Sequence, residues 1–208
     1  MYKNIVFDLG GVVVDYEPRE FLVDHFMNEK LEQSLYDITF GSAEWLKLDA
    51  GAITRAEAEE IMRKKGTAIG HKFEIDMLLT DWMDMLKTKE DTITLMRKLK
   101  KNGYRLYYLS NIAEDTLERL SRRNFWVLFD GGIASCDVRM LKPDHRMFER
   151  LLRKFSLQPS ETVFIDDSPA NIVAVSDMGM AGIRYKGTRE LVRALASYGI
   201  IAKNVRKK

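Results

Sequence analysis

The 208-residue chain predicts an α/β protein, a doubly wound parallel sheet with an all-helical insertion after the first strand. Two patterns carry the sheet. Five short β-rich runs alternate with segments of helical periodicity, the arrangement that covers both faces of a parallel sheet with helices. Short, continuously apolar stretches such as Val163-Phe164-Ile165 also suit central strands buried on both sides. A third observation carries the insertion: residues 16–86 hold no convincing strand and several helix signals.

The first apolar run, residues 5–14, contains Asp8 and the glycine pair Gly10-Gly11. Pro18 then suits the first turn of a helix, ahead of Phe21, Leu22 and Phe26. Thr54-Arg55-Ala56-Glu57 has capping-box spacing and opens a helix through Met62. Over residues 73–86, Ile75, Leu78, Leu79, Trp82, Met83 and Leu86 recur at helical intervals. The Met and Trp side chains in this region read as core packing. The chain returns to the sheet near Thr88. Leu95 with Leu99, and Leu117 with Leu120, mark helices that flank a strand at 105–109. A strand at 131–135 precedes a helix at 143–155 that Pro143 can open. A strand at 162–165, a helix at 170–178 and a strand at 181–185 complete the pattern. The expected division is a core of residues 1–15 and 87–208 around a cap of residues 16–86.

Composition narrows the class. A hydrophobic share of 46% is ample for a buried core, and a net charge of +2 sets up no global field for nucleic acid. The basic tail Lys203-Asn204-Val205-Arg206-Lys207-Lys208 reads as a solvated terminus. One cysteine, Cys136, excludes an internal disulfide framework and fits a reducing compartment. The first apolar run has no basic leader or cleavage site, and no apolar stretch approaches the ~18 residues of a membrane span. The expectation is a soluble cytoplasmic protein with no membrane or nucleic-acid partner, a monomer being the simplest state.

Chemistry should collect at the carboxyl ends of the strands, where ligands bind open parallel sheets. Asp8, Ser110-Asn111 and Asp166-Asp167 follow strands there, and Lys142 lies beyond the third β-run. Each has a plain structural alternative: Asp8 or Ser110-Asn111 as a cap, Lys142 as a surface lysine, Asp166-Asp167 as a loop pair. Adjacent acids after a buried strand are the most telling, because like charges repel without a cation. Together the three carboxylates can hold Mg²⁺, while a hydroxyl, an amide and a lysine can bind phosphoryl oxygens. Asp8 can then act as a nucleophile, forming an aspartyl-phosphate that water cleaves. Lys142 and the metal would stabilise the transferring charge.

Four segments carry a resemblance to a known family. They are Phe7-Asp8-Leu9-Gly10-Gly11-Val12, Leu109-Ser110-Asn111, Leu141-Lys142-Pro143-Asp144 with Met147-Phe148, and Phe164-Ile165-Asp166-Asp167-Ser168-Pro169-Ala170-Asn171. In that order they resemble the four motifs of the haloacid dehalogenase-like (HAD) superfamily, specifically a capped phosphatase with a Rossmann-like core. The resemblance covers the whole chain. Residues 45–54 resemble the substrate-side cap turn of the subfamily, leaving Arg19, Trp45, Lys47 and Asp49 as cap positions whose facing is open. The resemblance implies Mg²⁺-dependent phosphoryl transfer from a small-molecule phosphorylated substrate, through Asp8, to water. Lys142 shares the catalysis, and Ser110, Asn111 and Lys142 bind phosphate. Asp8, Asp166, Asp167 and the backbone carbonyl of Gly10 hold the metal.

One position departs from the family pattern. Family phosphatases usually carry a second aspartate two residues after the nucleophile, which moves protons; here that residue is Gly10. Proton transfer by such a group typically supplies ~10²–10⁴ in rate. The favoured reading keeps a phosphatase, with a water, Asp15, a cap residue or the substrate handling the proton. A sugar 1-phosphate, with its less basic leaving oxygen, would suffer least. The chain also resembles a bacterial subgroup of sugar 1-phosphatases and the phosphatase domain of soluble epoxide hydrolase. A metal-independent 2-haloacid dehalogenase is the weaker reading, because Asp166-Asp167 is built for a cation. A degenerate phosphate-binding relative is the third, and a mutase is disfavoured by Gly10.

Overall fold

The computed structural model describes residues 1–201; the basic tail from Lys203 lies outside them. Five parallel strands form one sheet in the order β3-β2-β1-β4-β5. They are β1 (Asn4–Phe7), β2 (Arg105–Ser110), β3 (Gly131–Ala134), β4 (Thr162–Asp166) and β5 (Ala181–Arg184). Strand order reverses beside β1, so β1 and β4 flank the switch point where such sheets open a crevice. In register, Phe7 pairs with Tyr108 and with Ile165. The polar residues that end the strands therefore emerge at one level.

The sheet is covered on both faces, and the alternation of β1 shows how. Ile5 and Phe7 enter one buried cluster together with Ile93, Met96, Leu99, Leu191 and Leu195. Val6, between them, enters a second cluster with Met147, Phe148, Leu151 and Val175. Successive strand side chains point to opposite faces, which explains why central stretches such as Ile5-Val6-Phe7 and Val163-Phe164-Ile165 are apolar at every position.

The chain between β1 and the second half of the core is helical throughout its regular elements: α1 (Pro18–Phe26), α2 (Glu29–Ile38), α3 (Ala43–Asp49), α4 (Arg55–Ala68) and α5 (Lys72–Asp81), with a 3₁₀ turn at Trp82–Met85. Local sequence sets their starts. Pro18 occupies the first turn of α1, and the Asn28 and Ser42 side chains cap α2 and α3. Thr54 and Glu57 form the predicted capping box of α4. The two chain passages into the insertion are tied together: Val14 bridges Thr88, and the Asp15 N–H donates to the Lys87 carbonyl at 2.7 Å.

The core helices are α6 (Glu90–Lys101), α7 (Glu114–Ser121), the single turn α8 (Ser135–Val138), α9 (His145–Lys154), α10 (Pro169–Asp177) and α11 (Thr188–Ser197). Two local expectations change. The apolar run at 5–14 is strand only to Phe7, because the chain turns at Gly11, whose φ is +72°. Pro143 does not open α9. That helix starts at His145, where the Asp144 carboxylate accepts from the Arg146 N–H and makes the better cap.

Candidate active site

Asp8 leaves β1 with its backbone still in the ladder, its N–H donating to the Ile165 carbonyl at 2.9 Å. The carboxylate is thereby aimed across the strand ends, and its Oδ1 accepts from the Leu9 N–H at 2.7 Å. Lys142 Nζ lies 2.9 Å from Asp8 Oδ2 and 2.7 Å from Asp166 Oδ2. The ammonium sits 5.4 Å from the centre of the Phe164 ring, and Lys142 and Asp166 are both buried. Asp166 also accepts from the Ser168 N–H at 2.8 Å and from the Asn171 amide at 3.0 Å on each oxygen. Those contacts engage both of its oxygens. Asp8 keeps lone pairs for chemistry, while Asp166 orients the lysine.

The remaining predicted residues fall around this pair. Ser110 ends β2, is buried and lines the same cavity as Asp8. Asn111 also lines the cavity, but its side chain is engaged with the backbone of Lys142: Oδ1 accepts the Lys142 N–H at 2.8 Å, and Nδ2 donates to the Lys142 carbonyl at 3.1 Å. Asp167 is exposed, with its carboxylate over Gly11. A Cβ at Gly11 would lie 2.5 Å from Asp167 Oδ2, so only glycine admits both the positive φ and this approach. Gly10 lines the cavity beside Asp8.

The charges do not balance. Burial pushes the Asp8 carboxyl up to about 7, against the pull of Lys142, and Asp166 and Asp167 add to the rise. Burial pulls the Lys142 ammonium down, but Asp8 and Asp166 outweigh it and hold the group above the ordinary lysine value. Burial and Asp166 also raise Asp167. Asp8, Asp166 and Asp167 each place one carboxylate oxygen within 4.8 Å of the others. Three hard oxygen donors close together, with one ammonium paired to two of them, suit a divalent cation such as Mg²⁺.

Above this floor a cavity of about 340 Å³ extends under the helical insertion. Its upper walls are Val14, Tyr16, Trp45, Asp49, Trp82, Leu86, Ile112, Ala113, Thr116 and Leu120. Trp45 and Trp82 meet edge to face with centroids 4.9 Å apart. Of the cap positions left open by sequence, Trp45 and Asp49 face this cavity. Lys47 is exposed, and the Arg19 guanidinium lies 4.0 Å over the Tyr36 ring. Asp15 is not among the residues that line the cavity; it pairs with Lys89 at 2.6 Å where the insertion joins the core. Sequence reasoning gave no role to Asn171 or Tyr16. Asn171 had a signal, its position five residues after Asp166 in the acidic motif. Tyr16 had none.

A parallel sheet with an acid–lysine cluster at its switch point, roofed by helices, defines a hydrolase of capped α/β type. The chain belongs to the haloacid dehalogenase-like hydrolase family, whose model matches residues 2–179. It is 30% identical to sesquiterpene phosphatase astK of Aspergillus oryzae over 88% of this chain and 89% of that protein. It is 27% identical to D-ribitol-5-phosphate phosphatase of Bacteroides thetaiotaomicron over 86% of this chain and 89% of that protein. Other relatives are longer: the chain spans 36% of drimenol cyclase drtB of Aspergillus calidoustus and 38% of bifunctional epoxide hydrolase 2 of Sus scrofa. Among solved structures, a variant of a HAD family enzyme from Bacteroides thetaiotaomicron in complex with magnesium and inorganic phosphate matches with a TM-score of 0.71. The two are 25% identical over 89% of this chain and 95% of that one.

Proposed function

We propose that this chain is a Mg²⁺-dependent phosphomonoester hydrolase that acts through an aspartyl-phosphate on Asp8. The observation that carries this reading is the Asp8–Lys142 pair. A buried carboxylate with free lone pairs faces an apolar-walled cavity and is backed by an ammonium that Asp166 holds in place. Asp8 attacks phosphorus, and the bond to the leaving oxygen breaks. Lys142 stays protonated and offsets the charge that spreads over the phosphoryl oxygens, where electrostatic stabilisation contributes most. The Ser110 hydroxyl holds a phosphoryl oxygen from the β2 side. Water then cleaves the phosphoryl–Asp8 bond and frees phosphate. Asp8, Asp167, Asp166 and the Gly10 carbonyl would hold Mg²⁺, which neutralises phosphate charge when bound.

The substrate is a small phosphorylated molecule, and the cavity qualifies the sugar phosphate that sequence resemblance favours. Seven of the ten upper-wall residues named above are apolar. Such walls desolvate a hydrocarbon leaving group well and leave sugar hydroxyls few partners. The similarity to a sesquiterpene phosphatase points the same way. We therefore rank an apolar-tailed phosphomonoester above a sugar phosphate. The enzyme is proposed to work as a cytoplasmic monomer; no helix among the described residues is long and apolar enough to cross a membrane.

The test is phosphate release from prenyl, aryl and sugar monophosphates, with and without Mg²⁺. Turnover that needs Mg²⁺ and favours the prenyl ester is expected. Chloride release from a 2-haloacid in EDTA, without phosphatase activity, would move the assignment to a dehalogenase.

A further inference from the structure

We propose that Asp49, at the end of α3 in the helical insertion, carries the proton in both half-reactions, in place of the side chain absent at Gly10. The proposal rests on the phosphatase reading above. A side chain at position 10 would crowd Tyr16, since a Cβ there would lie 3.3 Å from Tyr16 Cβ. With no side chain at Gly10, a group on another wall can carry the proton. Among the cavity-lining groups, Asp8 is the nucleophile, Lys142 is committed to two carboxylates, and Asp167 faces the cation position. Burial and Asp49 make Tyr16 a far weaker acid than a free phenol. Ser110, Thr116 and Ser168 are aliphatic hydroxyls, weaker still. Asp49 is the one remaining carboxyl among the cavity-lining residues, and it comes from the helical insertion, on the side opposite the strand ends.

Its placement is built rather than incidental. The Asp49 backbone carbonyl accepts from Ser135 Oγ, which also accepts the Ile112 N–H at 2.8 Å. The turn after it is pressed on the core: a Cβ at Gly51, whose φ is +63°, would lie 2.6 Å from the Cys136 carbonyl oxygen. The Ala113 backbone faces the carboxylate and favours its charged form. The charged or titratable groups that face it are Arg55 from α4, Asp115 from α7, Asp8 beyond β1 and Tyr16. Burial, opposed by Arg55 and aided by Asp115 and Asp8, pushes its carboxyl up to about 7. A group poised there can donate in one step and accept in the next.

The protons balance. As the Asp8–phosphorus bond forms and the phosphorus–leaving-oxygen bond breaks, the Asp49 carboxyl gives its proton to the leaving oxygen. As water attacks the phosphorus of the aspartyl-phosphate, the Asp49 carboxylate takes a proton from that water. The phosphorus–Asp8 bond breaks, and both acids return to their starting forms.

The experiment compares wild type, Asp49→Asn, Asp49→Glu and Asp8→Asn on p-nitrophenyl phosphate and on a simple alkyl phosphate. The alkyl leaving oxygen needs a proton, whereas the nitrophenolate barely does. For Asp49→Asn, kcat/KM on the alkyl ester should fall by ~10² or more and on the aryl ester by less than ~10-fold. Asp49→Glu should recover part of the loss. Equal losses on both esters, or none on either, would overturn the proposal, and Asp49→Ser provides the same comparison if the Asn variant does not fold. Asp8→Asn separates the two readings: if it turns over either ester at the wild-type rate, the nucleophile assignment has failed.

Discussion

Asn111 grips the backbone of Lys142 from both sides, accepting its N–H at 2.8 Å and donating to its carbonyl at 3.1 Å. The end of β2 thereby sets the position of a lysine 31 residues further along the chain. Asn111→Ala should leave the fold intact and misplace the ammonium. A shift on the scale of an ångström lowers kcat by about 10²-fold. Steady-state kinetics should show the loss mainly in kcat, and a loss confined to KM would argue that Asn111 binds substrate directly.

Lys142→Met tests the electrostatic design. Without the ammonium, Asp8 and Asp166 face each other buried and uncompensated, which costs about 3–5 kcal/mol at neutral pH. Urea denaturation should show that deficit shrinking as pH falls, because protonated carboxyls no longer repel. A pH-independent deficit would mean that lost packing dominates.

Gly11→Ala should weaken cation binding more than it weakens the fold. The new Cβ must displace the Asp167 carboxylate, 2.5 Å away, and it also strains a backbone at φ +72°. A stability loss of about 1–3 kcal/mol is expected. Titration calorimetry with Mg²⁺ should show affinity reduced by ~10-fold or more. Unchanged Mg²⁺ affinity would remove Asp167 from the metal site.

Asp49→Asn should stabilise the protein at pH 8 and not at pH 4. The folded-state value of Asp49 is raised from the ordinary aspartate range to about 7. The folded state therefore binds the extra proton, and the wild type loses stability as pH rises through this window. The amide removes that penalty, on the order of 1–2 kcal/mol after allowing for water in the cavity. Melting temperatures of the two proteins at pH 4 and pH 8 decide it; a variant less stable at pH 8 contradicts a buried, unfavourable carboxylate.

Much of this arrangement is legible in the sequence, because strand ends and motif order are local properties. Apolar runs such as Val163-Phe164-Ile165 mark strands buried on both faces, and the acids that end them must then meet at one edge of the sheet. What the sequence hides is orientation. Trp45, Lys47 and Asp49 occupy one helix, yet only a three-dimensional packing decides that Lys47 faces solvent and the other two face the cavity. Asn111 looks like a phosphate ligand by position, but its backbone contact depends on where a distant loop returns. Tyr16 carries no local mark of its place beside Gly10, since their approach is set by the bend at Gly11.

The central claim is that Asp8 becomes phosphorylated. Acid-quenching the enzyme during turnover of p-nitrophenyl phosphate with Mg²⁺, followed by peptide mass spectrometry, tests it directly. One phosphoryl group is expected on the peptide containing Asp8, and none in Asp8→Asn, which should also release no phosphate. Sustained turnover with the label on another residue, or undiminished turnover in Asp8→Asn, would contradict it.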